Sequence, residues 1–203
     1  MADSFRQLIL CPQIPEFSVA SVDLLAALDQ IGLTGPGIGA DVDSAHGKKG
    51  QRFLVGQHFL QHISFMGCAP AIEFSPPEGG GASKITGWDQ FTFVYLPAGS
   101  GHALWLADID MARPVCPACK RRIPRSGDYI DATGALLTCP HCQNKAAVCE
   151  VDWREFGGCA KTMISIVNVY PKEAMPSENL LNQLSKRTNV AWRYFYINGS
   201  LPE

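Results

Sequence analysis

The chain has 203 residues, 46% of them hydrophobic, and a formal net charge of −2. That charge gives no global pull toward nucleic acid or an anionic membrane, and no apolar run approaches the ~18 to 20 residues that would span a bilayer. The length suits one large domain or one domain with a small added module, and the apolar fraction allows a core to form without metal.

Residues 1–17 read as an irregular or extended lead-in, because Pro12 and Pro15 block a helix. The start, Met1-Ala2-Asp3-Ser4-Phe5-Arg6, lacks the basic opening, long apolar middle and small-residue cleavage site of a secretory signal. Together with a chain too large to depend on staples, this predicts a reducing, cytoplasmic setting with free cysteines. A helix is predicted from Val19 to Gln30, capped by Ser18 or Ser21, with Val22, Leu24, Leu25, Leu28 and Ile31 facing the core.

Gly35-Pro36-Gly37-Ile38-Gly39-Ala40-Asp41 resembles a phosphate loop only superficially. It follows a helix instead of a strand, carries a proline and lacks GK[ST], so a flexible connector is expected. The following Asp41, Asp43 and Gly47 do not fit the calcium-loop spacing.

The run Phe53 to Met66 predicts a helix burying Leu54, Phe59, Leu60, Ile63 and Met66, weakened by Gly56. On such a helix His58 and His62, four apart, share a face. With Cys68 six residues on, they form a second candidate metal or catalytic site. The intervening Phe-Leu-Gln supplies no glutamate base, and packed core histidines are the simpler expectation. The string Phe65-Met66-Gly67-Cys68-Ala69 recurs in outline as Phe156-Gly157-Gly158-Cys159-Ala160, a faint candidate repeat. Cys68 and Cys159 are expected to be small buried residues.

Residues 75–87, with Pro76-Pro77 and Gly79-Gly80-Gly81, read as a surface loop. Gln90 to Leu96 and His102 to Ile109 are expected to form a strand pair around the turn Pro97-Ala98-Gly99-Ser100-Gly101. Further on, Met163 to Val169 predicts a strand, Ser177 to Lys186 a helix starting at Ser177 or Glu178, and Ala191 to Ile197 a closing strand stopped by Asn198-Gly199.

The most informative stretch lies between these parts. Cys116-Pro117-Ala118-Cys119 is followed, after nineteen residues, by Cys139-Pro140-His141-Cys142. Two intervening residues let both sulfurs of a pair turn to one ion, and two pairs complete a tetrahedron. Lys120 to Ile123, the Ala132-Thr133-Gly134 turn and Ala135 to Thr138 give a strand–turn–strand rhythm. Pro114 to Lys145 thus resembles a zinc ribbon, which implies one structural Zn2+ on Cys116, Cys119, Cys139 and Cys142. Ribbons serve as nucleic-acid readers, protein docking modules or plain staples, so the resemblance does not fix a function.

The expected architecture is α+β: a mostly antiparallel sheet with a few packing helices in a main domain of residues 1–112 and 146–203, and a zinc ribbon inserted at 113–145. From Arg113 to Lys145 six basic residues face two acids, formally +4, which leaves −6 for the rest. Four thiolates on Zn2+ bring the ribbon nearer +2. Dedicated nucleic-acid domains are more basic, so a protein partner is preferred to nucleic acid. A four-cysteine site leaves no position for an activated water, and Gly99-Ser100-Gly101 is too short for a nucleophile elbow. A Cys–His hydrolase would need Cys68 or Cys159 beside His58, His62 or His102. The expected function is therefore a non-enzymatic accessory, assembly or regulatory factor that binds another protein. A nucleic-acid-associated protein and an enzyme with a site near His58, His62 and Cys68 are the alternatives.

Overall fold

A computed structural model describes residues 4–38, 50–66, 72–77, 87–99 and 101–202. In chain order the elements are β1 (Phe5–Pro12), α1 (Ser21–Gln30), β2 (Thr34–Gly37), β3 (Gln51–Val55), α2 (Phe59–His62), β4 (Ile63–Phe65), β5 (Phe93–Leu96) and β6 (Leu104–Ala107). After them come β7 (Leu136–Thr138), β8 (Lys145–Ala147), β9 (Gly157–Ala160), β10 (Ile164–Val167), β11 (Ala174–Pro176), α3 (Glu178–Thr188) and β12 (Trp192–Gly199). The fold is α+β and mostly antiparallel, as expected. Among the described residues no helix is long and apolar enough to cross a membrane.

A six-stranded antiparallel sheet in the order β12–β1–β10–β5–β3–β2 forms the body. The inner position of β1, between β12 and β10, explains the uninterrupted run Leu8-Ile9-Leu10-Cys11. All four are fully buried, because both faces of the sheet are covered and alternation with polar residues is not required. Leu8 and Leu10 join Val94, Ile164 and Ile166 beneath α1, α3 and the β4–β11 pair. Ile9 and Cys11 point the other way, to Phe195, Ile197 and Ala160, with Leu104 and Leu106 of β6 over them. Gln7 is buried on that second face and fully engaged: its Oε1 accepts from the Ser165 hydroxyl at 2.8 Å, and its Nε2 donates to the Gly199 and Ser200 carbonyls.

Both longer helices lie where periodicity places them. Ser177 caps α3, its Oγ accepting from the Leu180 amide at 3.2 Å, and Leu180 and Leu184 face the core. In α1 the cap position falls on Ala20, with no side-chain hydrogen bond, in place of Ser18 or Ser21. Leu24 and Leu28 are buried, but Val22, expected in the apolar stripe, is 72% exposed.

Three local expectations are overturned. The connector at Gly35-Pro36-Gly37 begins as the edge strand β2, paired with β3; residues 39–49 lie outside the described residues. The expected helix from Phe53 to Met66 is a strand, one helical turn and a second strand. The break is at Gly56, whose amide donates to the Leu33 carbonyl and where a Cβ would lie 2.3 Å from the Gly32 carbonyl oxygen. Only Gly fits that approach. Finally, β5 and β6 do not pair with each other. β5 sits between β10 and β3 in the main sheet, whereas β6 pairs with β9 in a separate two-stranded ribbon.

Candidate metal centre

Between β6 and β9 the chain builds a second core. Ala112, Cys116, Ile123, Leu137, Cys139, Ala146, Val148, Val151 and Trp153 are buried together, with Trp105, Tyr129 and Phe156 packed against them. β7 and β8 form its hairpin. The turn before β7 is set by Asp131, whose Oδ1 accepts from the Ala135 and Leu136 amides and from the Thr133 hydroxyl, with Gly134 in the left-handed region. Desolvation opposes ionisation of Asp131, but these hydrogen bonds outweigh it and lower its pKa.

The two CPxC stretches fold alike. In the first, the Lys120 amide donates to the Cys116 carbonyl, the Cys116 amide donates to the Arg121 carbonyl, and Lys120 has φ 59°. In the second, the Gln143 amide donates to the Cys139 carbonyl, the Cys139 amide donates to the Asn144 carbonyl, and Gln143 also has φ 59°. Each tight turn aims its two sulfurs at the same point.

All four sulfurs of Cys116, Cys119, Cys139 and Cys142 lie within 4.8 Å of one another, and the Cys116–Cys142 and Cys119–Cys139 pairs are each 3.7 Å apart. Sulfurs held about 2.3 Å from one ion at tetrahedral corners stand about 3.8 Å apart. Disulfide-bonded sulfurs, by contrast, stand only about 2.0 Å apart. The cluster can therefore hold a metal ion, consistent with a zinc-binding module. Among the described residues, no other group of three or more His, Cys, Asp or Glu side chains gathers its donor atoms in this way.

Burial and hydrogen bonding divide the four thiols. Desolvation acts to raise Cys116, but the Cys119 and Ala118 amides and the Cys139 and Cys119 thiols outweigh it and draw the value down to about 7. At Cys142 the Asn144 amide favours the thiolate, but desolvation and hydrogen bonds to the other three cysteines push the value up to about 11. Thiols this close share charge unequally until a cation neutralises them.

The second candidate site does not assemble among the described residues. Cys68 lies outside them, as does most of the Phe65-to-Ala69 half of the candidate repeat. His62 is buried with its Nε2 2.7 Å from the Ile31 carbonyl, and His58 packs on Gly32, where a Cβ would lie 2.6 Å from its Cδ2. Both rings therefore rest on the C-terminal end of α1, where donors are favoured. Their Nδ1 atoms are buried without a hydrogen-bond partner, and among the described residues no third donor atom joins them. His102 is exposed, ahead of β6.

Cys159 corrects another expectation. It is buried but not a free thiol: it forms a disulfide with Cys149, with a Cα–Cα distance of 5.3 Å. The bond ties the end of the cysteine-rich segment to β9 and runs against the expectation that all these cysteines stay reduced. It also removes Cys159 as a nucleophile. This pairing has no signature in the sequence, because cysteines ten apart carry no local pairing rule. The remaining free thiol among the described residues outside the cluster, Cys11, is fully buried. Burial pushes it up to about 11, against the pull of Arg193.

No known protein family, curated protein or solved structure matches the chain.

Proposed function

We propose that residues 113–145 are a zinc ribbon inserted between strands of the 1–112 and 146–203 body, that Cys116, Cys119, Cys139 and Cys142 hold one structural Zn2+, and that the protein works without catalysis by binding another protein. The observation that carries this reading is the sulfur geometry: four thiols at tetrahedral spacing satisfy the ion completely and leave no position for water or substrate. Thiolate donors also favour zinc over the hard cations that prefer oxygen. The ion would then fold a surface instead of supplying chemistry. Elemental analysis of the purified protein should give one zinc per chain, lost in a Cys116→Ser variant. Affinity capture from source lysate should recover a specific protein. Recovery of none, together with turnover of a small molecule by the purified material, would overturn the reading.

A further inference from the structure

The ribbon's cations are arranged around the sulfur cluster itself. Lys120, Arg121 and Arg122 follow the first pair in the turn that wraps it, and Lys145 follows the second pair, opposite Thr138 in the β7–β8 hairpin. His141 brings the two turns together, its Nε2 lying 3.2 Å from the Arg122 carbonyl oxygen. Arg125, in the left-handed region, follows three residues after Arg122. All five cations are exposed, and among the described residues none has a carboxylate within ion-pair distance. The segment has two acids: Asp131 has its Oδ1 engaged in its own turn, and among the described residues neither it nor Asp128 lies within ion-pair distance of these cations. Three of these like charges are consecutive in the chain; neighbouring like charges repel, and an anionic partner removes that cost.

The rest of the surface selects among anions. Stacking platforms for unpaired bases are aromatic, but none of this module's Tyr, Trp or Phe rings is exposed: Trp105, Tyr129 and Phe156 are half-buried and Trp153 is buried, and the exposed His141 ring is tied to the Arg122 carbonyl. Beside its cations the module exposes, among polar residues, three large aliphatic side chains: Leu136 on β7, on the same hairpin face as Lys145, and Ile109 and Met111 at its base. Cations beside aliphatic groups complement a segment that carries carboxylates and aliphatic side chains together.

We infer that the cations around the sulfur cluster, with Leu136, form the docking surface for an acidic, aliphatic segment of another protein. This rests on the protein-binding function proposed above and specifies its partner class.

The test uses the full zinc-loaded protein. A fluorescent peptide of alternating acidic and leucine residues is titrated by anisotropy, alongside a basic peptide of equal length, single-stranded RNA and duplex DNA. The acidic peptide should bind saturably, weaken as salt rises, and bind more than tenfold less well to a Lys120→Glu/Arg121→Glu/Arg122→Glu variant. That variant should keep its full zinc content, which separates lost docking from lost folding. A Lys145→Glu variant should weaken binding to a smaller degree. Tighter binding of either nucleic acid than of the peptide, peptide binding unchanged in the triple variant, or self-association through this surface would each overturn the inference. A lysate partner captured equally well by wild type and the triple variant would leave protein binding standing and place it on another surface.

Discussion

The six-stranded body and the cysteine-rich module are held together by different physics. The body buries Leu8, Ile9, Leu10, Phe93, Ile164, Ile166 and Phe195 at or near zero exposure, between helices on one side and a strand pair on the other. The hydrophobic effect is sufficient there. The module's buried cluster includes two of its own cysteines, so part of its interior consists of polar sulfur that water would otherwise solvate. The cluster lies within residues 112–153, close to the size of about 40 residues below which a metal or cross-link is usually needed. One chain thus contains a region stable by burial and, on the proposed reading, a region stable by coordination.

The largest way to break this contrast is to remove the metal. Structural zinc contributes about 10 to 16 kcal/mol to folding in small metal-dependent modules at neutral pH. Chelation or Cys116→Ser should therefore unfold the module and disperse the Trp105–Trp153 contact, where the rings lie 5.2 Å apart. The main sheet should persist. Near-ultraviolet circular dichroism should lose the part of its tryptophan signal that comes from Trp105 and Trp153, while the Trp88 and Trp192 contributions and the far-ultraviolet strand signal are largely retained. Loss of both together would mean that the two regions form one cooperative unit.

The converse experiment truncates the body. Phe195→Ala removes a fully buried ring between Ile9, Cys11 and Ile197 and should cost about 3 to 5 kcal/mol. Chemical denaturation should register that loss while zinc stoichiometry stays at one per folded chain.

Between the two regions stands the Cys149–Cys159 bond. Replacing both cysteines with serine should cost about 2 to 3 kcal/mol, the order expected for a cross-link ten residues apart. Hydrogen exchange should localise the loosening to β9 and to the segment before it. Protection unchanged in β9 would show that the β6–β9 pairing holds the junction unaided.

The smallest effect is an alkaline one. Burial raises Cys11 from 9.0 to about 11, and burial with the neighbouring Tyr194 raises Tyr196 from 10.0 to about 12. Both groups stay neutral in the fold to higher pH than in the open chain. Their stabilising contribution is intact below pH 9 and is lost progressively from there to about 12. Denaturation midpoints across that range should fall, and a Cys11→Ala variant should fall less steeply.

Legibility in the sequence followed the range of the interaction. The four cysteines were readable because metal ligation is encoded by spacing, and the Ser177 cap and the Leu180/Leu184 stripe because a helix is made of near neighbours. The wrong partner for β6 and the missed Cys149–Cys159 pair share one cause. Both depend on which distant segment lies alongside, and neither has a local signature. The mistaken helix at Phe53–Met66 falls between these cases. Its hydrophobic spacing fits a helix, but Gly56 is where the Gly32 carbonyl approaches, and only the far segment reveals that.

β1 pairs with β12 from Phe5↔Gly199 to Pro12↔Trp192 and with β10 at residues 164–167. During synthesis its partners are therefore among the last parts of the body to be made. The sulfur cluster needs only residues 116–145 and can close around its ion while β1 is still waiting. Long-range pairing of this kind is slow and leaves strand edges open meanwhile. An ion bound there would thus seal the small module before β10 and β12 exist, whereas β1 must wait to pair between two strands made later.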